Sequence, residues 1–164
     1  MPLQRTGRTW TWKDSPSATA ADLEYTLTTA SLADAGRRQG VKASLVDSAG
    51  RFADLFTVEV DVDPASAPTA GVVVSIYWGG SRSSTAGTSN PIGMTGADAA
   101  HVLGVEMLDD IWFLGNAKIA NEVANYTHIL PPTTLPYGYG MPIIHNQMGV
   151  AITTAEIRIT EILG

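Results

Sequence analysis

A chain of 164 residues, 45% of them hydrophobic, is long enough to bury roughly 70% of its unfolded surface as one domain. It has no cysteine, which excludes disulfides and thiolate chemistry. No apolar run approaches the ~18 residues of a membrane span, and Met1 to Arg8 lacks the apolar stretch of a signal peptide, so neither membrane nor leader is expected. The net charge is −6, spread unevenly: residues 1–51 hold seven bases against five acids, residues 52–164 three bases against eleven acids. An acidic body argues against a nucleic-acid backbone as partner, while the basic-leaning front end suits an acidic protein surface.

Residues 1–36 read as an extended arm. Trp10-Thr11-Trp12 offers two large aromatics with no helical or clear strand context, Asp14-Ser15-Pro16-Ser17 is a turn signal, and Leu23 to Thr28, with Tyr25 at its centre, alternates like a short strand. Ordering a backbone costs roughly 1–2 kcal/mol per residue, so the arm needs burial to hold it. Three roles stay open for Trp10 and Trp12: capping the core of their own domain, meeting a neighbouring subunit, or stacking on a sugar. Residues 37–164 form the body. Val41 to Val46 is a strand flanked by two similar Asp/Gly turns. From Phe56 to Val62 apolar and polar residues alternate without a break, the mark of a strand with one dry and one wet face. After the turn Asp63 to Pro68, the run Gly71 to Trp78 is apolar on both faces, as inside a sandwich or under a partner.

Gly79 to Ala97 is a long Ser/Thr/Gly loop containing Arg82 and Asn90. Its length suggests a contact or mobile loop, and it lacks the Gly-Lys-Ser/Thr of a phosphate-binding loop. Gly96 to Leu103 reads as one or two helical turns, Leu108 to Leu114 as a segment entering the core, and Ala120 to Leu130 as a strand stopped by Pro131-Pro132. Thr133 to Gly140, with Tyr137 and Tyr139, is a second long connection. Met141 to His145 and Gly149 to Thr153 look like a hairpin, and Glu156 to Ile162 alternates again, with Ile157, Ile159 and Glu161 on one side. The expected fold is all-β: a β-sandwich of jelly-roll type with seven to nine strands, an N-terminal arm and one short helical turn.

Catalytic signals are weak throughout. His101, His128 and His145 lie in separate elements without metal-ligand spacing. The stripe Glu59, Asp61, Asp63 shares one strand face and has oxygen ligands for calcium, yet a solvated face is the ordinary explanation. Asp109-Asp110 is the other acidic cluster, with nothing to place it across a glycosidase cleft. No serine sits in Gly-x-Ser-x-Gly, and Asn125-Tyr126-Thr127 is a chance glycosylation match. The sequence therefore points to a non-enzymatic protein with no cofactor and no metal.

The order of pieces carries a resemblance. Gly36-Arg37-Arg38-Gln39-Gly40 precedes the first core strand, and Pro68-Thr69-Ala70-Gly71 leads into a strand ending Tyr77-Trp78. The loop through Gly87-Thr88-Ser89-Asn90-Pro91 to Thr95-Gly96-Ala97-Asp98-Ala99-Ala100 follows, then Leu114-Gly115-Asn116, and then Tyr137-Gly138-Tyr139-Gly140-Met141-Pro142-Ile143-Ile144-His145-Asn146. Over roughly residues 31–164 this resembles small virion proteins of tailed bacteriophages, in particular jelly-roll proteins that decorate or cement the capsid. The resemblance implies a virion protein made in the host cytoplasm. It would sit on the capsid exterior as a dimer or trimer, bridging major capsid subunits through many weak contacts. The residues expected at such an interface are Trp10, Trp12, Tyr25, Arg82, Asn90, Tyr137 and Tyr139. A second expectation is a tail or fibre module whose Trp10, Trp12, Tyr137 and Tyr139 stack on a host glycan.

Overall fold

The computed structural model describes residues 5–17, 23–101 and 111–163. The described residues form eleven strands and no helix: β1 (Arg5–Lys13), β2 (Glu24–Thr26), β3 (Arg37–Gln39), β4 (Ala43–Ser44), β5 (Phe56–Pro64), β6 (Val73–Ser81), β7 (Ala99–Ala100), β8 (Trp112–Lys118), β9 (Tyr126–Thr133), β10 (Tyr139–Gln147) and β11 (Ile152–Leu163). They build an open sandwich of two sheets, ordered β2-β1-β11-β5-β9 and β7-β3-β10-β6-β8, with β4 also paired to β10. The strand count exceeds the expected seven to nine because β2, β3, β4 and β7 are only two or three residues long. The expected helical turn is corrected in its described part, where Ala99–Ala100 pairs with Arg38 and Gln39 as an edge strand. Its remaining residues, 102 and 103, lie outside the described residues.

Alternation builds the core as the sequence suggested. In β5, Phe56, Val58, Val60 and Val62 are fully buried while the intervening residues are half-exposed. β11 puts Ile157, Ile159 and Glu161 on its buried face. β5 and β6 lie in opposite sheets, so the turn between them carries the chain across the sandwich. The expected hairpin at 141–153 is also corrected, because β10 and β11 belong to different sheets and Asn146 to Val150 bridges the layers. There Asn146 Nδ2 donates to Leu32 O and Val150 O, and its Oδ1 accepts from Met148 N.

The described strands of the expected arm, β1 and β2, pair into the five-stranded sheet. β1 pairs antiparallel with β11 over Trp10↔Ile159 and Trp12↔Ile157, and parallel with β2 over Trp12↔Tyr25. Trp10 and Trp12 are completely buried. Their indole N–H groups reach across the core to Ser44 O at 2.9 Å and Val41 O at 2.8 Å. They thereby tie the five-stranded sheet to β4 and to the segment that joins it to β3. Gly40 makes room for this, since a Cβ there would sit 2.7 Å from Trp12 Cδ1.

A second, smaller cluster, Met94, Ile111, Met141 and Ile143 with Tyr77, is separate from the main core. It lies on the other face of the six-stranded sheet, since Met141 and Ile143 alternate with Pro142 and with Ile144 of the main core. β10 is therefore dry on both faces. Pro142 is tolerated within it because its carbonyl, and so its missing N–H, points toward the β3 side. There only Gly40 N reaches it, and the chain leaves the sheet.

Candidate functional site

The long polar loop after β6 is braced by buried polar groups. Lys42, just beyond β3, is 8% exposed. Its Nζ reaches Ser81 Oγ at 3.0 Å and the carbonyls of Ser83, Thr85 and Thr88 at 3.1, 2.7 and 2.9 Å. None of these four acceptors is a carboxylate, and burial lowers the Lys42 pKa. The ammonium thus serves as a built-in cation around which the loop folds. Gln39, fully buried, donates to Thr95 Oγ1 and Ala97 O and accepts from Thr95 N. Gly96 has φ +76° and packs directly on the Ala86 carbonyl, leaving no space for a Cβ. At the loop's end Asp98 receives two bonds from Arg38, at 2.8 and 2.7 Å, and two more from Thr28. Burial opposes its charge, but those donors outweigh it and hold the carboxyl below its ordinary value.

Beside this loop, at the end of the six-stranded sheet, lies a groove of about 660 Å³. Its floor is Trp78 and Gly80 of β6; its walls include Ser89 to Ile92 on one side and Trp112, Pro136 and Tyr137 on the other. Trp112 faces Trp78 directly across the β6–β8 ladder. Gly80 allows the 136–137 turn to lie on the sheet, because a Cβ there would come within 2.7 Å of Pro136 O. Tyr137 itself holds φ +66°, a conformation rare for a bulky residue. Arg82 lies over its ring at 5.2 Å and donates from Nη2 to its hydroxyl at 3.3 Å.

The residues expected at an interface divide sharply. Arg82, Asn90 and Tyr137 are brought together in this groove. Asn90 is also a brace, donating from Nδ2 to Ala86 O and Met94 O. Trp10 and Trp12 are corrected: both are core residues, because the apolar face of β11 needs partners of their size. Tyr25 stacks on Trp12 at 5.4 Å, is half-buried, and has its pKa raised by that burial. Tyr139 opposes Ser81 and Ser44 within the sheet and does not border the groove. The four-aromatic glycan platform is therefore not assembled.

Trp112 and Ile92 were missed as groove residues, and Lys42 as its foundation. The segment at 111–114 was expected to enter the core, yet Trp112 and Phe113 are 48% and 52% exposed while Ile111 and Leu114 are buried. The usable signal was four consecutive apolar residues, which no single strand face can bury.

The acidic stripe is a charge network with its own cation. Arg158 of β11 pairs with Glu59, with Asp61 at 2.8 Å and with Glu156 at 2.5 Å. No group of three or more His, Cys, Asp or Glu is placed to hold a metal among the described residues. His101 and His145 are buried beside Arg37, with His145 directly opposite it. Burial, and then the Arg37 charge, lowers both their pKa values. Asp109 and Asp110 lie outside the described residues. No family model matches this chain, and no curated protein matches it.

Proposed function

We propose that this chain is a non-catalytic structural protein of a tailed-phage virion. In this reading it is a jelly-roll sandwich that decorates the capsid and bridges major capsid subunits as a dimer or trimer. One observation carries the reading beyond the resemblance. Trp112, Phe113, Val123 and Ile129, four of the large apolar side chains left exposed, all come from β8, β9 and their connection. Each of these strands is one edge of its sheet, and the two lie against each other on the same side of the sandwich. Phe113 packs on Tyr77 on the outer face of the six-stranded sheet, while Ile129 lies opposite Glu59 on the solvent face of the five-stranded sheet, so this side of the sandwich offers apolar surface on both flanks. A rigid sandwich with apolar surface on two flanks suits a clamp set between neighbours, which gains avidity from many copies on a lattice.

The test uses shells of the parent phage stripped of accessory proteins. The full chain is expected to sediment with them, and Phe113→Asp and Ile129→Lys are each expected to weaken that binding with the fold intact. A chain that stays monomeric and never associates with shells rules the reading out.

A further inference from the structure

We propose that the groove between Arg82, Asn90, Trp112 and Tyr137 is a binding site for a carboxylate-bearing pyranose, the terminal or repeating unit of an acidic glycan. Trp112 belongs to both readings, but the residues varied in the shell test, Phe113 and Ile129, do not line the groove, so the two tests fail separately.

The first argument is charge. Arg8, Arg38, Arg51 and Arg158 each hold a carboxylate. Arg82 instead lies against the Tyr137 ring and hydroxyl, and has no salt bridge among the described residues. Among the described residues that line the groove it is the only charged one, in a protein of net charge −6. A guanidinium with no acid beside it among the described residues, and steadied by an aromatic ring, is set to receive an anion in a two-pronged geometry.

The second argument is shape and surface chemistry. Tyr137 and Trp112 leave 44% and 48% of their surface open. Aromatic faces pack against the C–H faces of a sugar ring, while fixed polar groups read its hydroxyls. Ser89 supplies a hydroxyl from a loop already locked by Lys42 and braced by Asn90, so little ordering is needed on binding.

The third argument excludes an extended peptide. The groove floor is β6, whose backbone is already paired on both sides, to β10 and to β8. At the groove floor no ladder is free for an added strand.

The test titrates the full chain separately with glucuronate, N-acetylneuraminate, glucose, acetate and an octaproline peptide, reading backbone-amide and indole N–H shifts by NMR. Both acidic sugars are expected to move the Trp112 indole signal and the 82–92 amides saturably, binding about tenfold or more tighter than glucose or acetate. Arg82→Gln should erase the preference for acid over neutral sugar, and Tyr137→Ala should weaken both. Both side chains are exposed, and the amide spectrum confirms that each variant stays folded. The proposal is overturned if no sugar gives saturable shifts at this end of the sheet. It is also overturned if acetate binds as well as the sugar acids, if octaproline binds more tightly than either, or if Arg82→Gln leaves the preference unchanged.

Discussion

The side chain with the greatest consequence for its size is Lys42. A buried ammonium normally costs several kcal/mol unless donors and acceptors compensate, and here Ser81 Oγ and three carbonyls compensate it. In return, the carbonyls of Ser83, Thr85 and Thr88 gain a charged donor beside the neutral ones, Ser81 Oγ and Thr88 N, that also reach them. Lys42→Met keeps the length of the side chain and removes that donor. Each charge-assisted hydrogen bond lost costs about 1.5–3 kcal/mol, and the remaining donors, together with relaxation of the loop into water, return some of it. The expected loss is about 2–4 kcal/mol. Hydrogen exchange should quicken at residues 82–95, with little change along β5 and β11. Uniformly faster exchange would show that Lys42 supports the whole fold, and unchanged exchange would show that Gln39 and Asn90 suffice.

Among the elements, β9 shows how an edge is kept from growing. It runs through Pro131 and Pro132, which the sequence suggested would stop it. Pro is confined to edges and bulges because it cannot donate to a ladder. β9 is an edge strand, and its pairing with β5 shifts register between Phe56↔Thr133 and Val58↔Leu130, where the two prolines sit. They deny a hydrogen-bonding row to any strand approaching from outside. Pro131→Thr combined with Pro132→Val should leave thermal stability almost unchanged but shift the chain toward larger species with rising concentration, measured by light scattering. Unaltered association would mean that the exposed polar side chains already guard this edge. The contrast explains what was legible beforehand. Strands with one dry face, β5 and β11, announce themselves by a period of two. β9 and β8 do not, because an edge strand half-covered by its neighbour has no obligate pattern. Which strands share a sheet was likewise hidden, since a turn that reverses within a sheet and one that crosses between sheets use the same Pro, Gly and Asn. In the groove, Arg82, Asn90 and Tyr137 were legible as polar and aromatic residues on long loops. Trp112 was not, because its exposure follows from β8 ending a sheet, a property of topology.

At the scale of the whole molecule, the first strand decides whether this is a body with a detachable arm or one indivisible sandwich. β1 stands between β2 and β11, and β2 has no other strand partner. Removing residues 1–13 therefore removes two strands' worth of pairing, exposes Ile157 and Ile159 of β11, and empties the volume of two tryptophans. It also cuts the indole bonds to Val41 and Ser44 that join the layers. Further along, Arg8 bonds Glu161 Oε1 at 2.6 Å as well as the carbonyls of Leu45 and Val46. Without it, a carboxylate that is almost wholly buried would lose its partner. Each large aromatic truncated from a core costs about 3–5 kcal/mol, and a domain's whole stability is about 5–15 kcal/mol. Deleting residues 1–13 is therefore expected to abolish cooperative thermal unfolding and the dispersed amide spectrum. Trp12→Phe should lower the transition while keeping it sharp. A truncated chain that melts cooperatively within a few degrees of the intact one would make β1 an appendage after all. The two sheets would then have to hold together through β5, β6, β10 and β11 alone.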